Sequence, residues 1–353
     1  MEKKEKVIIG LCAIATIIAG ILHFAHANEV LGFAVTAVAL ALLAMVVGDG
    51  TEQLGRRLGP GATGILQSGL GNLPELFVAI FALRAGLDTV VQYALVGSIL
   101  GNSVLVFGFA IFLGGLKNGT QHFKSEPPRM IVTLMLLAFA ALIFPTLTKE
   151  LHTPAEPYLN QLDVIVAFIL LAIFGASIYF SIKGDSAIAP QEEQMHSEHQ
   201  QWSLKMTIIV LAGAGVGAAL VSDWFVEALQ PAMKTLGISE AFAGLVIVAI
   251  AGNAIENLVG IQLAWRNQAD YAVSVIMNSS LQIALGLFPI LVLLSFFLGG
   301  AVLTFVLSPL LVAALALAVL VSAFIVYDGE SIWLEGLALI GLYCIIAVSF
   351  WWG

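Results

Sequence analysis

Gly71-Asn72-Leu73-Pro74-Glu75 has an echo in Gly252-Asn253-Ala254-Ile255-Glu256. Each stretch sets an Asn and a Glu three residues apart inside a long apolar run. Three apart on a helix is one face, so each amide lies beside its carboxylate. A charged side chain at mid-membrane costs roughly 2.5–3.5 kcal/mol even on the lenient insertion scale. Two such carboxylates in one repeated context predict a single shared polar site. The rest of the chain reads as a scaffold that joins the two stretches and lets either side of a membrane reach them.

Composition sets the medium. The chain has 353 residues, 60% hydrophobic and 10% charged. Soluble domains carry roughly 25% charged residues, so this is an integral membrane protein in a lipid bilayer. The net charge of -9 says little about nucleic acid, but the few basic residues form no DNA-binding stripe, so no nucleic-acid partner is expected. Cys12 and Cys344 both lie in apolar runs, with no disulfide framework and no metal-site spacing. No cofactor is implied. The opening Met1-Glu2-Lys3-Lys4-Glu5-Lys6 imitates a signal peptide, but no small-residue cleavage site follows, and it reads as a retained first span.

Apolar runs of spanning length, about 20 residues each, fall at about 7–25, 30–48, 61–84, 89–115, 128–148, 160–182, 204–224, 239–265, 270–298, 303–327 and 331–352. The expected fold is an all-α membrane protein of eleven transmembrane helices. With the N-terminus in the cytoplasm, Lys3, Lys4, Lys6, Arg56, Arg57, Lys117, Lys124, Arg129, Lys183, Lys205 and Arg266 lie inside. Arg84, Lys149 and Lys234 lie outside, and together these are all fourteen basic residues. That asymmetry follows the positive-inside rule. The expected location is the cell membrane.

An ungapped offset of 181 residues superposes Gly71, Asn72 and Glu75 on Gly252, Asn253 and Glu256, and Ser98 on Ser279. Residues 1–28 then hold helix 1, standing apart. Residues 29–182 and 204–353 are two five-helix repeats, helices 2–6 and 7–11. Five is odd, so the repeats are inverted, a recurrent design of secondary transporters with a midplane site. Residues 183–203 form an acidic cytoplasmic loop with Asp185, Glu192, Glu193, Glu198, His196 and His199. It reads either as a solvated linker or as a low-affinity cation sensor.

The chemistry of the site follows from its residue types. Pro74 has no amide hydrogen, so the Leu70 carbonyl loses its helical partner. Gly69, Gly71 and Gly252 loosen the same regions, which makes the carbonyls of Leu70, Gly71 and Gly252 candidate ligands. Freed carbonyls at membrane depth are tolerated only where they face a cavity or ligand. Ser98 and Asn102, then Ser279 and Gln282, add oxygen one helix further on in each repeat. The candidate metal ligands are thus Glu75, Glu256, Asn72, Asn253, Ser98, Asn102, Ser279 and Gln282. An all-oxygen set suits Ca²⁺ rather than a soft metal. The other reading of these polar groups is that they only bond helices to one another. Burial and mutual repulsion disfavour charge on Glu75 and Glu256, so an empty site takes up protons and a bound divalent cation expels them. Asp49 and Asp223 stand near the ends of the first helix of each repeat, as access-route acids or as ordinary helix-end acids in water.

These motifs resemble a known family. Gly71-Asn72-x-x-Glu75-Leu76, Gly97-Ser98-Ile99-Leu100-Gly101-Asn102 and Gly252-Asn253-Ala254-x-Glu256 are similar to the paired signature regions of calcium/proton antiporters, the proton-coupled branch of the cation/calcium exchanger superfamily. Ser279-Ser280-Leu281-Gln282-Ile283-Ala284-Leu285 is similar to its second signature. The resemblance implies eleven helices, Ca²⁺ export driven by inward protons, a trimeric assembly and sliding of helices 2 and 7. The chain departs from the family pattern at Asn257, where the family carries His, at Leu73 and Pro74, and at Asn278. The rival readings are a sodium/calcium or other divalent-cation exchanger of the same fold and, remotely, an intramembrane protease built on Asp49 and Asp328. Asn72 and Asn253 stand where the sodium branch carries Ser or Thr, which favours protons. The protein is expected to be a transporter and not an enzyme.

Overall fold

The computed structural model describes residues 3–26, 28–58, 66–124, 126–182 and 202–352. Side chains at 3, 4, 56, 58, 67, 68, 126, 127, 181, 182 and 254–257 stand outside that description. So do residues 183–201, which carry nearly all of the expected acidic loop.

The described elements are almost wholly helical. They are α1 (Lys3–Phe24), α2 (Glu29–Leu58), α3 (Leu73–Arg84), α4 (Asp88–Asn118), α5 (Glu126–Glu150) and α6 (Leu159–Ile182). After the loop come α7 (Leu204–Leu236), α8 (Glu240–Gly252), α9 (Ala254–Trp265), α10 (Ala269–Leu298), α11 (Pro309–Tyr327) and α12 (Trp333–Ser349). Two short strands, β1 (Gln121–His122) and β2 (Glu330–Ser331), pair antiparallel with Gln121 opposite Ser331. The protein is an all-α membrane protein.

Among the described residues, eight helices are long and apolar enough to cross a membrane. The three other expected spans each differ for a local reason. The run at 61–84 restarts as α3 after a break at Asn72, and its first residues lie outside the description. The run at 239–265 is divided by Asn253 into α8 and α9. The run at 331–352 is helical only over Trp333–Ser349.

Three boundaries correct the sequence expectation. α2 continues to Leu58 and α7 to Leu236, well past the apolar stretches that announced them. Asp49 and Asp223 are therefore interior helix residues, not helix-end acids. α11 starts at Pro309, capped by the Ser308 hydroxyl accepting from the Leu311 amide, rather than at 303. Residues 301–308 run as a non-helical segment that buries Leu303, Phe305 and Leu307, and side chains replace the helical bonds. Gln92 donates to the carbonyls of Thr304 (3.0 Å) and Val306 (3.2 Å). Thr146 accepts from the Leu307 amide (2.9 Å), and Ser295 from the Leu303 amide (3.0 Å). The same segment caps α3, where the Ala301 amide donates to the Leu83 carbonyl (2.9 Å).

The two repeats face each other in opposite senses. Phe33 stacks on Phe225 with ring centroids 5.0 Å apart. Further along, Leu43 fills the space beside Gly217, and Leu211 the space beside Gly50. The α2 numbers rise as the α7 numbers fall, so the first helices of the two repeats run antiparallel. Leu-into-Gly contacts let their backbones approach closely, as is usual within bilayers. α4 and α8 come closer still. A Cβ on Gly97 would lie 2.6 Å from the Leu245 Cα, and one on Gly244 would lie 2.5 Å from the Val90 carbonyl oxygen.

Helix α1 lies outside this pairing and is fastened to α7 at both ends. At one end Gly20 and His23 lie against Trp224, the imidazole stacked at 5.4 Å. At the other, the indole of Trp202, just before α7, donates to Glu5 (2.9 Å). The Trp202 amide donates to Gln53 of α2 (3.1 Å), and its carbonyl accepts from Arg57. Trp202 thus ties the described end of the loop to α1, α2 and α7 together.

The α4–α8 contact yields a test. Gly97→Ala forces a methyl into the Leu245 backbone, and overpacking of this kind costs about 1–3 kcal/mol. The expected result is a lower thermal unfolding temperature in detergent. Gly213→Ala, where nothing lies within 4 Å, leaves it unchanged or slightly higher.

Candidate ion-binding site

Two asparagines make the site possible. Asn72 has φ −91° and ψ 19°, and Asn253 has φ −94° and ψ 23°. Both are in the sparsely populated bridge region, which ends one helix and begins the next. Each break points a helical C-terminus, with its partly negative carbonyls, and a fresh N-terminus, partly positive, at one place. Pro74 occupies the first turn of α3, where its missing amide hydrogen costs nothing. Glu75 stands in that same first turn, at the positive end of the new helix. The Leu70 carbonyl, expected to stand open, accepts the Asn72 backbone amide.

The breaks bring the repeats into contact. A Cβ on Gly252 would lie 2.7 Å from Glu75 Cγ and 3.0 Å from its Oε1. The carboxylate of the first motif therefore rests on the glycine of the second, and a side chain there would push Glu75 aside. Asn72 Nδ2 donates to Gln282 of α10 (3.4 Å). Asn253 Nδ2 donates to Ser98 Oγ of α4 (2.7 Å) and to the Ala249 carbonyl (3.0 Å). Asn102 Nδ2 donates to Asn253 Oδ1 (3.1 Å) and to Ser279 Oγ (2.9 Å). All of these side-chain bonds except the one to Ala249 cross from one repeat to the other. Asn72, Ser98, Asn102, Asn253 and Ser279 are all buried.

Seven of the eight expected ligands are thus in this cluster. Glu256 lies in the first turn of α9, as Glu75 does in α3, and its side chain lies outside the described residues, as does that of Asn257. Asp49 and Asp223 are not among the residues that these hydrogen bonds join. Asp49 is half-buried on α2, next to the Gly50 that receives Leu211. Asp223 lines a 480 Å³ vestibule with Phe81, Arg84, Glu227 and Gln230. A narrow cavity of about 30 Å³ lies beside Glu75 and Ser98 and extends along α3 past Ala79 and Ala82. Leu95, Phe225 and Leu229 give it apolar walls, and it has room for about two water molecules. Among the described residues, no three His, Cys, Asp or Glu side chains converge as a metal cluster. Any cation here meets one described carboxylate together with amides, hydroxyls and carbonyls.

Sequence reasoning missed one feature of these helices. Single π-helical turns occur at Gln67–Gly71, Gly101–Val106, Ala243–Val248 and Ile283–Leu287. All four adjoin the cluster, one in each of the helical runs that build it. Such turns re-aim side chains and recur at functional sites. Their residues share no sequence pattern that signals a wider helix.

Comparison with known proteins agrees with this geometry. Residues 28–183 and 206–352 match the family described as sodium/calcium exchanger protein. The Ca(2+)/H(+) antiporter of Aphanothece halophytica is 33% identical, over 93% of this chain and 92% of its own length. The Ca(2+)/H(+) antiporter ChaA of Bacillus subtilis (strain 168) is 35% identical, over 90% of this chain and 91% of its own. The crystal structure of the selenium-substituted Ca2+/H+ antiporter protein YfkE superposes with a TM-score of 0.84 at 31% identity, covering 98% of this chain and 99% of that one. With both halves matched and the polar breaks in register, this chain belongs to the sodium/calcium exchanger family.

Proposed function

We propose that this protein is a Ca²⁺/H⁺ antiporter that exports Ca²⁺ from the cytoplasm by alternating access around the Asn72 and Asn253 breaks. The observation that carries this reading is Glu75 seated on Gly252, within the amide and hydroxyl network that joins the repeats. The names of the relatives that match nearly the whole chain support it. Membership of a transport family sets aside the protease reading, and the protein is not an enzyme. Asp328, one of the two acids of that reading, ends α11 and accepts the Glu330 amide (3.3 Å).

In this proposal Glu75 and Glu256 carry the cation and the protons in turn. Asn72, Asn253, Ser98, Asn102, Ser279 and Gln282 supply neutral oxygen, together with the Gly71 and Gly252 carbonyls. Ser98, Ser279, Asn253 and Gln282 already accept hydrogen bonds through their oxygens, which would serve a cation through their remaining lone pairs, whereas Asn102 bonds through its amide nitrogen. Residues 29–182 and 204–353 act as the two repeats, with helix 1 apart and 183–203 as the loop between them. The N-terminus is proposed to lie in the cytoplasm, a reading that the distribution of Lys and Arg supports, and the protein in the cell membrane. A trimer is the proposed assembly.

Ca²⁺ uptake by proteoliposomes under an imposed pH gradient, with and without Na⁺, tests the function. Proton-driven flux that needs no Na⁺ is the expected outcome. Flux that appears only with Na⁺ would assign the chain to sodium coupling instead.

Charge removal tests the site. Glu75→Gln is nearly isosteric, so the fold is retained, while the cation loses its charged partner. Truncating one partner of a buried charge pair costs about 3–5 kcal/mol, so apparent Ca²⁺ affinity should fall by roughly 100-fold or more. Glu256→Gln is expected to match it. Asn72→Ala keeps the charge, and its effect should be milder. Near-normal flux in either Gln variant removes that Glu from the mechanism.

Stoichiometry is testable in the same vesicles. Two carboxylates that are protonated when empty and ionised when loaded exchange two protons for one Ca²⁺. Each pH unit is worth about 1.4 kcal/mol per proton, so two protons hold roughly a hundredfold Ca²⁺ gradient. Equal charge passes each way. The Ca²⁺ distribution at zero net flux should therefore not move when voltage is stepped at fixed pH. Movement would require a further titrating group.

A further inference from the structure

Arg84 is a charge that the transport site does not use. It is one of the few basic residues that the sequence places on the outer face, against the general bias. It is exposed in the last turn of α3, the helix that begins with Glu75. A positive charge there complements the C-terminal end of the helix. That explains a tolerated Arg but not its surroundings, because the side chain lines the 480 Å³ vestibule together with Asp223 and Glu227.

The position is fixed from below. The Ala301 amide holds the Leu83 carbonyl (2.9 Å), and a Cβ on Gly300 would lie 2.7 Å from the Arg84 Cα. Gly86, at φ +79°, then turns the chain away. On the opposite wall, Asp223 and Glu227 are four apart on α7 and share a face. Glu227 is engaged by His23 Nδ1 at 3.5 Å. Among the described residues no ion pair joins Arg84 to either acid. Its field therefore falls on the ions in the vestibule.

We propose that Arg84 sets the affinity of the outer face, holding Ca²⁺ occupancy there down more strongly than proton occupancy. The proposal rests on the exchanger reading above. The physical basis is valence. A local positive potential lowers the concentration of a divalent cation by the square of its effect on a monovalent one. A unit charge about 7 Å from Ca²⁺ in screened surface water changes its occupancy by about two- to fivefold. The matching change for H⁺ is its square root, about 1.5- to twofold. Ca²⁺ delivered into the vestibule therefore leaves, while protons still arrive. Arg84 acts at the face where export must end and return must begin.

The test measures the Ca²⁺ dependence of exchange separately from each face in oriented proteoliposomes. Arg84→Gln is expected to raise apparent Ca²⁺ affinity two- to fivefold on the face that carries residue 84, leaving the other face unchanged. The proton dependence on that face shifts by only the square root of this factor. Arg84→Lys keeps the wild-type values, and the difference between Arg and Gln shrinks in high salt. Asp223→Asn removes the opposite charge and shifts the same affinity downward, which gives a reading even if Arg84→Gln does not fold. Equal shifts on both faces, or none in either variant, overturn the proposal. So does an Arg84→Lys variant that behaves as Gln. Wild-type vesicles without proton-driven Ca²⁺ flux would instead overturn the exchanger reading. Wild-type flux with flat Arg84 and Asp223 responses overturns this inference alone.

Discussion

A helix that stops at mid-membrane must do something with its unpaired backbone groups, and the Asn72 and Asn253 breaks depend on how that is solved. Carbonyls freed there have no water to turn to, and each unsatisfied group costs several kcal/mol in lipid. The two breaks share nearly the same dihedral angles and meet across the repeat interface, so each supplies polar surroundings for the other. Neither break is tolerable alone in lipid. A carboxylate placed in the first turn after such a break gains from the helix N-terminus, and a cation gains from the carbonyls that precede it. The same defect in helix continuity thus favours both the cation and its counter-charge.

The hydrogen bonds among these groups hold the centre together. Asn253 holds Ser98 and receives Asn102, and Asn102 in turn holds Ser279. Three helical runs, α4, α8–α9 and α10, are tied at one point, and the Gly97–Leu245 and Gly244–Val90 approaches lock two of them at the backbone. The α2–α7 pair is built differently. It is joined by a stacked aromatic pair and by leucines set against glycines, with α1 strapped to it through Trp202 and Trp224. The central cluster is thus held by directional bonds, and the α2–α7 face by apolar packing with a tie through Trp202 to Gln53 and Arg57 at one end.

Much of this was legible from residues alone, and the reason is the bilayer. Lipid makes every polar residue expensive, so the Gly-Asn-x-x-Glu pair and the Ser and Asn one helix away stand out against an apolar background. Their repetition at a fixed offset gave the inverted architecture as well. Where lipid exerts less pressure, the reading failed. α2 and α7 extend beyond their apolar stretches because helices continue into polar surroundings without any hydropathy signal. Residues 303–308 are as apolar as a span, yet they run non-helical because Gln92, Thr146 and Ser295 satisfy their backbone from a distance. The π-helical turns and the Trp202 anchor are tertiary facts with no local pattern. Asp49 and Asp223 lie inside their helices for the same reason, since α2 and α7 outlast their apolar stretches.

The composition of the cluster constrains how coupling works. Amides and hydroxyls stay neutral at any physiological pH. Asn253 also has both its donors and its acceptor engaged within the protein. None of these groups can take up a proton when the cation leaves. Any change of charge must fall on a carboxylate, and among the described residues of the cluster that is Glu75, with Glu256 its proposed counterpart. A neutral cage around carboxylates responds to total charge rather than to the identity of the occupant, so a divalent cation and two protons satisfy it equally. Selectivity for the cation must then come from geometry, from how many neutral oxygens the breaks can turn toward it. The two asparagines that interrupt the helices are where that geometry is set.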